Sequence, residues 1–413
     1  MTPEPIDVEA ARKDFPLLAR TVHDRPIVYL DSAATSLTPH SVIAATERYY
    51  ETTHANVHRG VYATAEEATR LYEGARTKVG RFVGAPHPGR EVVFTKNTTE
   101  SLNLLAHSWG RTNLGPGDVV VLTEMEHHAN IVPWLMLAEE RGIELRYIPV
   151  DGAGRLDLSD LDRMVDGAAL VSVSAMSNVL GTINPLATIA EAAHRAGALV
   201  VADGAQSVPH LQVDVAALGI DFLAFSAHKM LGPTGIGVLW GRAELLEEMP
   251  PFLGGGGMIL DVRTDRYLAA EPPQRFEAGT PPIAEAVGLS AAVDYLSAVG
   301  MDRVRAHEME LTRYAFDALT ARLGSKCKVF GPPEGEDRGG VLSLAIDEIH
   351  AHDLAQVLDQ FGVCVRPGHH CAKPLMRKLG VAATARASFG LYNESSDVDV
   401  LIDGLQEAVR LFG

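Results

Sequence analysis

The apolar positions along this chain change their period several times. Short apolar runs occur at residues 27–30, 91–95, 118–122, 170–174, 198–202, 221–226 and 237–240. Several are unbroken stretches of β-branched or small apolar residues, the pattern of parallel strands covered on both faces. Between them lie helical spacings, notably at residues 98–109 and 131–141. Strands alternating with helices predict a doubly wound α/β sheet.

The pattern changes near residue 250. Residues 250–282 hold Gly254 to Gly257 in a row and Pro272-Pro273, and read as a mobile excursion from the core. A long helical pattern follows over residues 283–323. Strands are predicted near Val329 and at residues 341–345 and 363–365, then a final helix over 397–411. The organisation expected is an N-terminal helical segment (1–20), a large domain (21–290) and a smaller C-terminal α+β domain (291–413). No repeat or low-complexity tract interrupts it, and no GxGxxG follows a strand.

With 413 residues, 46% hydrophobic and 22% charged, the chain has an ordinary globular composition, enough for two domains. Its formal net charge of -17 argues against nucleic acid as the main partner. Cys327, Cys364 and Cys371 are too few and too odd in number for a disulfide framework, which points to a reducing compartment. Residues 1–10 lack the basic start and apolar core of a signal peptide. No apolar run reaches the ~18 residues of a membrane helix. A soluble, cytoplasmic protein is expected.

Five segments and one further arginine carry candidate chemistry. In Asp221-Phe-Leu-Ala-Phe-Ser226-Ala-His228-Lys229, a lysine directly follows a buried-looking strand. Such a lysine is costly unless neutral, paired or modified. A Schiff base with an aldehyde cofactor answers that; a snorkelling surface lysine is the alternative. Asp203 ends the apolar run Ala198-Leu-Val-Val-Ala, where open α/β sheets bind ligands. It can pair with the ring nitrogen of pyridoxal phosphate, or simply cap the next helix. Asn97 with Glu100 resembles a capping box, and the hydroxyls of Thr98 and Thr99 at that helix start suit a phosphate. In Glu126-His127-His128, the two histidines lack metal-site spacing; one of them stacked on a planar cofactor is the functional reading, and two solvent-facing rings the plain one. In Arg366-Pro-Gly-His369-His370-Cys371, the cysteine sits on a loop followed by Lys373, Arg377 and Lys378, a field that favours thiolate. Zinc on His369, His370 and Cys371 and an inert thiol are the rivals. Arg386, among small residues, suits a carboxylate or a structural ion pair.

Together these segments resemble the SUF-type (group II) cysteine desulfurases, fold-type I pyridoxal-phosphate enzymes related to class V aminotransferases. The resemblance runs from Tyr29-Leu-Asp-Ser-Ala-Ala34 to Tyr392-Asn393. It is carried by Asn56-Val-His58-Arg59-Gly60, Glu126-His-His-Ala-Asn-Ile-Val-Pro-Trp134, Ser226-Ala-His-Lys229, Arg275-Phe-Glu-Ala-Gly-Thr280 and Arg366-Pro-Gly-His-His-Cys-Ala372. It implies a large domain with a mixed, mainly parallel sheet, plus a smaller α+β domain.

The resemblance also implies roles. Lys229 holds pyridoxal 5'-phosphate and later shuttles protons. Asp203 pairs with the ring nitrogen, Gln206 contacts the ring hydroxyl, and His127 stacks on the ring, where it can act as acid or base. Thr98, Thr99, Ser226 and His228 hold the phosphate, and Thr280 reaches that of the neighbouring subunit. Arg386 binds the substrate carboxylate, with Arg366 nearby and Asn178 beside ring and substrate. His58 and Arg59 reach across a homodimer. Cys371 attacks the sulfur of L-cysteine and becomes a persulfide, which a SUF-type acceptor protein collects for iron–sulfur cluster assembly. No metal is implied. A selenocysteine lyase, another C–S lyase or an epimerase of the same superfamily would share Lys229 and Asp203 but would not need Cys371.

Overall fold

The structure is a computed structural model, and it describes residues 3–333, 335 and 337–412. Residues 1, 2, 334, 336 and 413 of the domains expected above lie outside these. The large domain is built on seven strands: β1 (Val92–Thr95), β2 (Val119–Thr123), β3 (Glu144–Ile148), β4 (Ala168–Ser174), β5 (Leu199–Asp203), β6 (Phe222–Ser226) and β7 (Gly237–Gly241). Their spatial order is β1-β7-β6-β5-β4-β2-β3. Strand β7 is antiparallel to both neighbours, and all other pairs are parallel, so the other strands share one direction.

All strands but β3 are largely apolar because both faces are covered. Residues of alternating parity fall into two separate cores. Phe94, Val121, Val171, Val200 and Phe225 pack on one face. Val93, Val120, Leu170, Val201 and Leu239 pack on the other. The sequence pattern located six of these strands. It missed β3, whose residues are mostly part-exposed at the sheet edge and so carry no apolar run.

A second, antiparallel sheet has the order β8-β9-β11-β10, from β8 (Cys327–Phe330), β9 (Val341–Ile346), β10 (Arg366–Gly368) and β11 (Thr384–Ser388). Strand β11, Thr-Ala-Arg-Ala-Ser, was not foreseen, since it lacks large apolar residues although it is wholly buried. The expected strand at 363–365 pairs instead with Val28–Tyr29. Val28 and Leu30 accordingly lie in the core of the small domain, away from the 21–290 unit to which the sequence reading gave them.

The long helical pattern of residues 283–323 is two helices, Ile283–Val299 and Met301–Leu323, bent by 73°. The break is Gly300, at φ 92°, where a residue with a side chain is strained. A domain boundary at 290 would cut the first helix, which packs on His40–Thr52 and Ala63–Phe82 of the large domain. No single helix is long and apolar enough to cross a membrane among the described residues. The stretch 250–282, expected to swing free, is anchored. It forms a hairpin of Ile259–Val262 with Tyr267–Ala269, and Arg275 donates to the carbonyls of Glu247, Met249 and Ala270.

One buried ion pair ties this stretch to the sheet. Arg76 is fully buried and donates to both oxygens of Glu277 (2.6 and 2.9 Å), while Phe94 N–H donates to Glu277 at 2.7 Å. Removing one member leaves the other charge uncompensated in the interior. Arg76→Ala is expected to lower stability by about 3–5 kcal/mol, read as an earlier midpoint in urea unfolding. A midpoint within error of wild type would show that water reaches the pair.

Candidate active site

The carboxyl ends of the parallel strands open onto one cavity of ≈ 250 Å³. Residues at the ends of these strands or in the turns that follow them reach the cavity, the arrangement open α/β sheets use to bind ligands. The turn after β1 brings Thr98 and Thr99, and that after β2 brings His127. Asn178 follows β4, Asp203 and Gln206 come with β5, and Ser226, His228 and Lys229 with β6. The small domain closes the cavity with Arg366 from β10, His370 and Cys371 from the loop after it, and Arg386 from β11.

Lys229 lies in a 3-10 turn, Ala227–Lys229, at the end of β6. Enclosure pushes its pKa down to about 8; Asp203 opposes this by favouring the ammonium, while Arg386 adds to it. Burial raises the Asp203 carboxyl, and a hydrogen bond from Ala205 N–H (2.9 Å) and the charge of Lys229 pull it back. The two groups thus hold each other near charge balance. His127 accepts Ala129 N–H on Nδ1 (3.0 Å), which leaves Nε2 to carry the proton of the neutral ring. Burial, then Lys229, His128 and Arg386, depress its pKa to about 3, so it presents a neutral flat ring. His228 is held at about 4 by burial and by Lys229.

The helix Thr98–Leu105 begins at the cavity with Asn97 as its cap, accepting Glu100 N–H at 3.0 Å. Thr98 N–H donates to Ser226 Oγ (2.8 Å), and the two hydroxyls lie 2.6 Å apart. Strand β7 approaches this turn from behind. A Cβ on Gly237 would stand 2.4 Å from Asn97 Cα, so the close approach requires glycine there.

Opposite, Arg386 donates to Asn178 O (2.9 Å) and to Asp31 Oδ1 (3.3 Å), and its Nε is buried without a partner. Arg366 reaches the same Asp31 from its Nη2 at 3.1 Å. Asp31 was quoted above only within a motif. Its position at the end of the short apolar run 27–30 was the available signal. Glu126, also unread, is buried and accepts from Ser174, Asn130 and Thr123; burial raises it to about 7.

Cys371 is exposed at the cavity rim. Burial pushes the thiol of Cys327 up to about 12 and that of Cys364 up as well, so both are held in the thiol form. Of the cations after Cys371, Lys378 is engaged by Glu124 at 3.0 Å. No group of three or more metal-ligating residues that could hold an ion occurs among the described residues.

His58, Arg59 and Thr280 do not line this cavity. They lie together elsewhere on the surface: Asn56 Nδ2 is 3.5 Å from Thr280 Oγ1, and His58 Nε2 is 2.8 Å from Glu73, itself bonded to Arg76.

The strand order with its single antiparallel member, the lysine after β6 and the carboxylate at the end of β5 define a fold-type I pyridoxal-phosphate transferase. The residues suit that cofactor. Gln206 donates Nε2–H to Ala33 O at 2.7 Å, leaving a buried Oε1 with no partner, an acceptor for a ring hydroxyl. The chain belongs to the class-V aminotransferase family, whose model matches residues 28–401. It is 51% identical over 414 residues to a probable cysteine desulfurase of Streptomyces coelicolor, covering 99% of this chain and 98% of the relative. Its fold matches an apo cysteine desulfurase of Thermococcus onnurineus with a TM-score of 0.93 and 42% identity, over 99% of this chain and 100% of that one. An Escherichia coli cysteine desulfurase in its S-sulfonic acid form matches with a TM-score of 0.91 and 39% identity, over the same shares.

In the cofactor-free protein, Lys229 is expected to lose its proton around pH 8. Because the Asp203 carboxylate favours the ammonium, Asp203→Asn is expected to move that midpoint to lower pH. The pH dependence of Lys229 modification by an amine-reactive reagent, followed by mass spectrometry, measures both. An unmoved midpoint would show that Asp203 does not act on the amine.

Proposed function

We propose that this protein is a cysteine desulfurase: it converts L-cysteine to L-alanine and takes up the sulfur as a persulfide on Cys371. The observation that carries the reading is a thiol, Cys371, at the rim of a cavity that also holds Lys229 and Arg386. A lyase that needs no thiol has no use for that placement. The names of the relatives agree with it.

Pyridoxal phosphate, when bound, draws electrons from the α-carbon of an amino acid and so stabilises a carbanion there. Lys229, Asp203, Gln206, His127, Thr98, Thr99, Ser226 and His228 are the residues that would hold it. Lys229 Nζ, with its pKa pulled down to about 8, exchanges protons readily near neutral pH and takes the Cα proton. Arg386 and Arg366 receive the substrate carboxylate beside Asp31. The Cys371 thiolate then attacks the substrate Sγ. An S–S bond forms, the Cβ–Sγ bond breaks, and its electron pair passes to carbon. A proton added to that carbon and the return of the Cα proton from Lys229 complete alanine, and Cys371 keeps the extra sulfur.

The finer reading is a SUF-type enzyme that acts as a homodimer in the reducing cytoplasm and passes its sulfur to an acceptor protein for iron–sulfur cluster assembly. The grouping of Asn56, His58, Arg59 and Thr280 on one surface away from the cavity supports a role in a partner's site. The exposure of Cys371 supports transfer to a protein rather than release into a closed pocket.

The test is alanine release from L-cysteine with pyridoxal phosphate and reductant. Wild type is expected to turn over, and Cys371→Ser and Lys229→Ala to lose all measurable turnover. Equal alanine from Cys371→Ser would assign the protein to the lyases that do not use a thiol.

A further inference from the structure

Cys371 lies on a loop of unfavourable backbone. His370 and Cys371 are consecutive non-glycine residues in the left-handed region, at φ 51° and 55°. Such residues persist only where surrounding contacts fix them. His370 is tied on two sides: its Nε2 is 2.8 Å from Thr384 Oγ1, and its carbonyl accepts Asn178 Nδ2–H at 2.8 Å. The thiol-bearing residue itself is held from a different direction.

That hold comes from His128. Its backbone N–H donates to Cys371 O at 2.7 Å. Its ring Nε2 accepts Lys373 N–H at 3.0 Å. One residue thus grips the loop on both sides of the intervening Ala372. The ring stands 5.7 Å from that of His369, whose Nδ1 accepts Cys371 N–H at 3.2 Å. Accepting from an amide requires an unprotonated Nε2. Part burial, His369 and Lys373 all push the His128 pKa down and keep the ring in that state.

We infer that His128 is a positioning residue for the nucleophile: by accepting Lys373 N–H it holds the left-handed turn at Cys371 so that the thiol stays at the cavity rim. The inference rests on the desulfurase reading. It gives the second histidine of the His127-His128 pair a task distinct from that of the first. His127 turns its ring into the cavity, while His128 secures the loop that carries the thiol.

The side-chain part of the hold is separable from the backbone part. His128→Ala removes the acceptor and leaves the bond to Cys371 O. His128→Gln restores an acceptor oxygen at about the reach of Nε2. In the holoenzyme, hydrogen exchange of the Lys373 amide is expected to quicken about five-fold in His128→Ala, the weight of one hydrogen bond, and to return toward wild type in His128→Gln. Alanine release from L-cysteine should follow in the same order, with kcat reduced in the alanine variant and KM little changed.

Unchanged exchange in His128→Ala overturns the inference, because the ring then holds nothing. So does faster exchange with undiminished kcat, because the thiol then does not need the hold. Failure of His128→Gln to recover either quantity overturns it too, since loss of fold rather than of the acceptor then explains the defect. Wild type that releases no alanine overturns the desulfurase reading itself, an outcome read separately from the exchange.

Discussion

Everything in the cavity is arranged around an amine that water does not reach freely. Lys229 is enclosed at the end of β6, and enclosure alone drives it toward the neutral form. The Asp203 carboxylate, at the end of the adjacent β5, pulls the other way. Neither group suits the interior alone. Each makes the other tolerable, and parallel pairing of the two strands fixes their proximity before any ligand arrives. The same strand ends place Ser226 and the Thr98 turn, so this pair of hydroxyls and the amine share one scaffold.

The small domain adds what the sheet lacks at the cavity: two guanidinium groups and a thiol. Its attachment is polar and specific. Arg386 reaches Asn178 O across the domain boundary, and Ser343 Oγ–H donates to Val179 O at 2.6 Å. Asp31, on the segment that begins inside the small-domain core, is shared by Arg386 and Arg366. Two guanidinium groups at the cavity are therefore already oriented by an internal anion. A fork held this way gives up less rotamer freedom on binding.

How much of this was legible beforehand depended on burial. Parallel strands buried on both faces announce themselves as apolar runs, and six of the seven were readable. Strand β3 at the sheet edge and the small-residue strand β11 were not, although β11 carries Arg386. The bend at Gly300 was hidden because helical spacing persists through it. The cavity residues were legible as isolated oddities: a lysine after a strand, an aspartate ending another, a cysteine between prolines and histidines. The resemblance joined them. What no local pattern could show were contacts distant in sequence, such as Asp31 with Arg366 and Arg386, or His128 with Lys373.

The cavity also sets an electrostatic contrast between near and far. The chain as a whole carries a formal charge of -17, whereas at the cavity of ≈ 250 Å³ three cations, Lys229, Arg366 and Arg386, face two anions, Asp203 and Asp31, which leaves a local excess of positive charge. At low ionic strength an anion at a distance is repelled by the molecule and is attracted only once it enters the mouth. At 0.1 M salt the screening length is about 10 Å, comparable with the cavity itself, so the repulsion fades while the enclosed cations keep most of their pull. An anion is thus disfavoured at long range and favoured only at short range, where the local excess of positive charge acts.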